Sequence, residues 1–302
     1  MAPAQNRLDG RLAFPALPNV PDIPPPLLAV PSSVSDEDIL TQSQLARAFR
    51  EIGVREGLLV CVHSWLDNIG MVVGGARCFL DALDAVVGSG GTVMMPAFSG
   101  DISDPAEWKY PAIPPGRVEE VRREMPPFDP RLTPTRKMGI IAELFRHREG
   151  VIRSFHPQSS FCARGPLAED VCARHSQSFR FGEESPLGAL VRHDGHVLLA
   201  GAPWNTASVL YLTEFQMPDR LLVKKKLPVG GPRGVEWSEF DELEYRDVWQ
   251  EAVTHLVATG IARRTKVGRG DFVFFPAREA VEEVLRWRLR CGGFSGPASA
   301  GE

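Results

Sequence analysis

The sequence is poor in cysteine and tyrosine and has no long apolar run. Its 302 residues include five cysteines (Cys61, Cys78, Cys162, Cys172, Cys291) and three tyrosines. The cysteines are odd in number, scattered and without C-x-x-C spacing, which excludes a secreted disulfide framework and a dithiol redox pair. No stretch approaches the ~20 apolar residues needed to cross a bilayer. The N-terminus lacks the basic and apolar regions of a signal peptide, so the expected location is the cytoplasm, with no membrane partner. Basic charge is not in excess either. There are 34 Lys and Arg against 38 Asp and Glu, giving −4 and a pI near 6.0, the wrong sign for a nucleic-acid partner. The histidines show no H-x-x-x-H or H-E-x-x-H spacing, so no metal site is expected. With 43% hydrophobic and 24% charged residues, the chain has the composition of a globular protein. It is long enough to bury a core without disulfides or metals.

Proline is concentrated at the start. Residues 1–34 hold eight of the 26 prolines, with Pro24, Pro25 and Pro26 consecutive, and read as an extended arm. Residues 35–290 read as the folded domain and 291–302 as a frayed tail. The domain opens on Ser35-Asp36-Glu37-Asp38, a capping-box pattern ahead of a helix carrying Ile39, Leu45, Phe49 and Ile52. A strand at 58–62 ends at His63-Ser64. A helical stripe of Ala76, Phe79, Leu80, Leu83, Val86 and Val87 follows, then a strand at 92–98, which makes a βαβ unit with parallel strands. The proline-rich span 99–137 reads as an irregular loop, of a length that usually serves function. Beyond it come a helix at 139–148, a strand–turn–strand at 151–166, helices at 167–176 and 185–192, a strand at 196–200 and a helix near 206–216. Strands at 221–227, 262–267 and 271–275 and helices at 247–259 and 277–290 complete the pattern. Strands alternating with helices throughout predict a layered α/β fold.

Three places could carry chemistry. His63 and Ser64 stand at a strand end, where open α/β sheets bind ligands. Gly74 and Gly75 open the next helix, whose free N–H groups suit phosphate; an ordinary βα loop would look the same. Gly88, Gly90 and Gly91 follow a helix and precede a strand, so they read as a cap and turn. The segment Arg153-Ser-Phe-His156-Pro-Gln-Ser-Ser160 places a histidine before a proline, which fixes its backbone as extended. Such a histidine can be a general base near neutral pH or a structural residue bonded to a neighbouring carbonyl. Glu214 lies three residues after Tyr211 on one predicted helix face and could orient a histidine, hold an ammonium, or be a solvated charge. Cys162, six residues beyond His156, admits a cysteine nucleophile as a minor alternative. Lys224-Lys225-Lys226 reads as a solvated edge strand.

Together the segments VHSWLDNIGMVVGG, LDALDAVVGSGGTVMMPAFSGDISDP, MPPFDPRLTPTRKMGIIAELFR, GVIRSFHPQSSFCARGP, FGEESPLGAL and DGHVLLAG resemble the aminoglycoside 3-N-acetyltransferase family in order and spacing from about residue 36 to 290. The resemblance implies a three-layer α/β/α sandwich with a mixed, partly parallel sheet that transfers acetyl from acetyl-CoA to a small-molecule amine; the sequence does not fix the oligomer, a homodimer being one option. The family's HPxxS histidine falls on His156 as general base, and the glutamate of its TxxHxxE motif on Glu214. Its HSS loop falls on His63, Ser64 and Trp65, which with Gly70, Gly74, Gly75 and Ser185 of the SP motif form the expected CoA side. Asp101, Ser208 and Tyr211 fall on the acceptor side. Two departures stand out: Tyr211 replaces the motif's histidine, and Trp65 replaces its second serine. The acceptor expected is an amine of an aminoglycoside-like or other natural-product small molecule, Tyr211 inclining the reading toward the latter; the alternatives are a weak CoA-binding homologue and a biosynthetic acyltransferase with another acyl donor or acceptor.

Overall fold

Leu59 and Cys61 point into one hydrophobic layer, Val60 and Val62 into another, so this strand runs through the middle of the molecule with helices on both sides. The computed structural model describes residues 38–109, 111–231, 234–246 and 249–291. The arm at 1–34, most of the expected Ser35 capping box, and residues 292–302 of the expected tail lie outside them.

In chain order the elements are β1 (Ile39–Leu40), α1 (Gln42–Ile52), β2 (Leu59–Ser64), α2 (Leu66–Ile69), β3 (Met71–Val72), α3 (Gly75–Val87), β4 (Thr92–Pro96), α4 (Val118–Glu124), α5 (Gly139–Arg146), β5 (Ile152–Arg153), β6 (Phe161–Arg164), α6 (Ala168–Ala173), α7 (Pro186–Arg192), β7 (His196–Ala200), β8 (Leu222–Gly231), β9 (Gly234–Leu243), α8 (Trp249–Ala258), β10 (Arg263–Val267), β11 (Gly270–Pro276) and α9 (Ala277–Arg290). The first helix starts later than expected. Thr41 caps it, accepting from the Gln44 N–H while the Gln44 side chain returns to the Thr41 N–H. Ile39 and Leu40, expected inside the helix, instead pair in parallel with β3.

Seven strands form the main sheet in the order β10-β11-β7-β2-β4-β6-β5. β2 pairs in parallel with both β4 and β7, while β6 is antiparallel to β4 and β11 to β7. The carboxyl ends of β2, β4 and β7 therefore lie at one edge, together with the start of β6. On one face α1, α3 and α5 bury Phe49, Phe79, Leu80 and Phe145 against Val60, Val62, Val93 and Leu198. Phe49 meets Phe79 edge to face at 5.3 Å and stacks on Phe272 at 5.8 Å. Each such fully buried side chain contributes about 1.5–3 kcal/mol. On the other face α6, α7, α8 and α9 pack on Cys61, Met94, Phe161, Leu199 and Val273. The three-layer sandwich with a mixed sheet is as expected.

Other parts differ from the sequence reading, among them α4 within the span 99–137 that was expected to be irregular. Residues 208–216 form a 3-10 helix, Ser208–Gln216, not an α-helix; its buried set mixes Val209, Leu210 and Leu212 with Ser208, Thr213 and Glu214, so no apolar stripe marks its period. The span 222–243 is a two-stranded antiparallel hairpin, β8–β9, whose second strand was not expected. The loop 99–137 folds onto that hairpin through a small core of Ile102, Met125 and Phe128 with Trp108, Val121 and Trp237. Lys224, Lys225 and Lys226 pair with Asp241, Glu107 and Glu239, in keeping with a solvated strand.

Candidate active site

The site grows from the sheet edge. Ala97 N–H donates to Ser160 O (2.8 Å) and Ser99 N–H to Gln158 O (2.9 Å), so the chain after β4 holds the His156 loop in place. Arg153 clamps the other side. Its guanidinium donates to Ser160 Oγ (2.9 Å), Thr133 O (2.5 Å), Ala97 O (2.6 Å) and Ser99 Oγ (2.7 Å), and it lies over Phe128. One side chain thus ties the long loop, the β4 end and the histidine loop together. The sequence signal was an arginine three residues before the histidine; its role was not foreseen.

His156 is fully buried. Its Nδ1 accepts from the backbone N–H groups of Gln158 (3.2 Å) and Ser159 (3.0 Å), while Nε2 is buried without a hydrogen-bond partner. A nitrogen that accepts two N–H bonds carries no proton, so the neutral ring has its hydrogen on Nε2. Burial, then the neighbouring His175 and Arg180, hold the ring's pKa well below the ordinary value, so it is neutral at pH 7. The His175 ring lies 4.7 Å away. His175 Nε2 donates to Arg180 O (2.9 Å), and Ser154 Oγ donates to its Nδ1 (2.8 Å). Burial pushes His175 down to about 4. Arg180 Nη1 donates to Gln158 Oε1 (2.9 Å), and its guanidinium lies over Phe181 and Tyr245. His175 and Arg180 were missed because the ARHSQSFRF segment carries no motif of its own.

Glu214 is not beside the histidine's bonds. It is fully buried, and Arg288 Nη2 donates to Oε1 at 2.7 Å while Arg246 Nη2 donates to Oε2 at 3.2 Å. Each oxygen accepts from a guanidinium and neither His156 nitrogen bonds it, so Glu214 stands in a buried ion pair and does not orient the ring. Ser208, also on the 3-10 helix, is buried and bonds Thr206 O. Tyr211 is half-buried in a ring cluster, stacked on Phe181 at 4.7 Å and edge-on to Tyr245 and Trp249. Asp101 is exposed and ion-paired to Arg136.

The expected CoA side separates into two groups. Ser185 is the N-cap of α7: it accepts from Leu187 and Gly188 N–H and donates to Gly182 O (2.6 Å). Its hydroxyl is engaged in these capping bonds within the protein. Gly70 has φ +126°, and a Cβ there would stand 2.7 Å from the Asp38 carbonyl oxygen, so this glycine serves close backbone approach. His63 is buried on the Cys61 face, with Cys61 Sγ 3.7 Å from Nε2, and burial pushes its pKa down to about 4. The remaining group fits an anion. Gly74 caps α3 in a left-handed conformation with no side-chain cap, and a Cβ on Gly75 would meet open space, leaving the first-turn N–H groups approachable. Trp65, just after β2, is half exposed. Cys162 is buried with its thiol pushed up to about 12, so it does not supply a thiolate. No cluster of potential metal ligands occurs among the described residues, and none of their helices is long and apolar enough to cross a membrane.

The model of the family described as aminoglycoside 3-N-acetyltransferase matches residues 61–288. The chain is 35% identical to the SPbeta prophage-derived aminoglycoside N(3')-acetyltransferase-like protein YokD of Bacillus subtilis over 249 residues, covering 82% of this chain and 92% of that one. It is 34% identical to aminoglycoside N(3)-acetyltransferase VIII of Streptomyces fradiae, covering 86% and 96%. Among solved structures it resembles YokD with a TM-score of 0.79 at 35% identity, over 82% of this chain and 92% of that one. It also resembles AAC-IIIb in its binary complex with CoASH, with a TM-score of 0.73 at 28% identity, over 86% and 100%. With the sandwich, the sheet-edge loops and this likeness along its length, the chain belongs to the aminoglycoside 3-N-acetyltransferase family, a family of acetyl-CoA-dependent N-acetyltransferases.

Proposed function

We propose that the protein transfers acetyl from acetyl-CoA to an amine of an aminoglycoside-like or other natural-product small molecule, at His156. The observation that carries this is the ring itself: a fully buried histidine on the loop held at the sheet edge, whose Nε2 has no hydrogen-bond partner in the protein. The amine nitrogen attacks the thioester carbonyl carbon, and the tetrahedral intermediate loses the CoA thiolate. The proton leaving nitrogen ends on the thiolate, giving an amide and free thiol. The open N-terminus of α3 and the loop 63–75 would receive the CoA pyrophosphate, with Trp65 against its apolar arm.

His156 has two readings. As general base it takes the amine proton; burial supplies the neutral ring this needs, but Nε2 must first lose its hydrogen to Nδ1. The two amide bonds at Nδ1 favour the second reading, in which Nε2–H donates to the thioester oxygen as negative charge develops there. Initial rates of thiol release, with the acetylated amine identified by mass, test the transfer. His156→Gln separates the roles. A donor amide near Nε2 restores part of the turnover lost in His156→Ala if the ring donates, and restores none if it is a base. A protein that binds CoA and acetylates no amine in a broad panel overturns the proposed transfer.

A further inference from the structure

Gln158 joins His156 to a chain of bonds that ends on the hairpin. Its N–H donates to His156 Nδ1 (3.2 Å), and its carbonyl accepts from Ser99 N–H (2.9 Å). Its side chain is held as well, Oε1 accepting from Arg180 Nη1 at 2.9 Å. The same segment grips the loop just before the ring, where Gln177 Nε2 donates to Phe155 O (3.0 Å). Of the bonds that hold Gln158 itself, the one from Arg180 is made by side chains alone, so substitution can remove it without touching the backbone.

Arg180 is itself built in. Its N–H donates to Glu242 Oε2 (3.2 Å), its Nε lies 3.5 Å from the same oxygen, and its guanidinium lies over Phe181 and Tyr245. Glu242 is buried near the end of β9, where it also accepts from Leu243 N–H (2.9 Å) and the Tyr245 hydroxyl (2.6 Å). Phe179 N–H donates to Asp241 O (2.9 Å), which ties the segment to the same strand. Because Glu242 answers the charge of Arg180, what reaches Gln158 is a fixed direction. One nitrogen of a rigid fork faces the carboxylate and another the amide oxygen, a span that the single ammonium of a lysine does not offer.

We infer that Arg180 is a positioning residue: through Gln158 it keeps His156 Nδ1 an acceptor and so fixes the ring's hydrogen on Nε2. Its effect on turnover rests on the acetyl transfer proposed above with the ring as donor; the tautomer does not. The test compares full-length wild type, Arg180→Ala, Gln158→Leu and the double variant, each checked for folding by a thermal melt. Imidazole nitrogen NMR spectra read the tautomer, with His156→Gln identifying the signal, and acetyl-CoA with kanamycin as acceptor probe reads turnover. Wild type should carry the hydrogen on Nε2 alone, and both single variants should show the two tautomers mixed. Their kcat should fall by up to about 10²-fold, the cost of a small misplacement, with the KM for acetyl-CoA unchanged. The double variant should fall no further than the worse single one, since both remove one bond. Gln158→Glu, which still offers Arg180 an oxygen, should recover part of the rate lost in Gln158→Leu. Gln158→Leu leaves Arg180 on Glu242 and decides the matter if Arg180→Ala does not fold. An unchanged tautomer in folded Gln158→Leu, or a double variant whose loss is the product of the two single losses, overturns the inference. A wild-type protein that binds acetyl-CoA and acetylates no amine in a broad panel overturns the transfer, while the imidazole spectra still decide the role of Arg180.

Discussion

Glu214 gives the sharpest separation between a structural and a chemical role. Replacing it with alanine removes the acceptor for Arg288 Nη2 at 2.7 Å and for Arg246 Nη2 at 3.2 Å. Arg246 keeps Asp219, but Arg288 is fully buried and, among the described residues, keeps the Thr213 hydroxyl at 2.7 Å and the Trp249 ring as its neutral partners. Removing one partner of a buried pair costs about 3–5 kcal/mol, because the other charge is left without compensation. For a domain of this size each kcal/mol lowers Tm by roughly 2–4 °C, so Glu214→Ala should melt roughly 6–20 °C below wild type. Glu214→Gln keeps the volume and one acceptor and should fall about 1–3 kcal/mol short. The assay is a urea or thermal melt beside acetyl transfer at a temperature where the variant is folded. Turnover should then remain within a fewfold of wild type. A Glu214→Ala protein that melts like wild type while its turnover is lost would refute the ion-pair account and restore the catalytic reading.

Other expectations follow from single contacts. Ser185→Ala removes the α7 cap and should cost about 0.5–2 kcal/mol with the KM for acetyl-CoA unchanged; a raised KM at normal stability would return Ser185 to the cofactor. Gly70→Ala, at φ +126° against the Asp38 carbonyl, should lose about 1–3 kcal/mol in a chemical melt, and a neutral effect would mean this approach is slack. Acid should destabilise the fold. His63 and His175, held down to about 4 by burial, bind fewer protons folded than unfolded between about pH 6.5 and 4. Their contribution is complete above about pH 6.5 and is lost as pH falls, by roughly 1.4 kcal/mol per pH unit for each. Urea midpoints measured from pH 7 to 5 should fall accordingly, and a flat profile would contradict the burial of these rings.

How much was legible depends on where the determining contacts lie along the chain. The βαβ unit was readable because Leu59 to Val62 and the α3 stripe carry their periodicity locally. The helix start was misplaced because Ser35-Asp-Glu-Asp and Thr41-Gln-Ser-Gln are both plausible caps; pairing of Ile39 and Leu40 with β3, a tertiary contact, selects the second. β9 escaped notice because it is charged and half exposed, so no apolar alternation marks it. In the site, His156 and the Gly74-Gly75 turn were visible as local motifs. The Glu214–Arg288 bond joins residues 74 apart, and no spacing rule reaches that far. The capping role of Ser185 was legible in Ser185-Pro186, since a serine followed by proline is an N-cap and first-turn signature.

The central claim is that acetyl transfer takes place at His156. The most direct test is steady-state turnover of acetyl-CoA with a saturating amine acceptor by His156→Ala, checked for wild-type folding by circular dichroism. Loss of the ring typically lowers the rate about 10²–10³-fold if it donates to the oxyanion and about 10²–10⁴-fold if it is the base, and the KM for acetyl-CoA should stay near the wild-type value if the loop 63–75 holds the CoA. A folded variant that turns over at the wild-type rate would contradict the account.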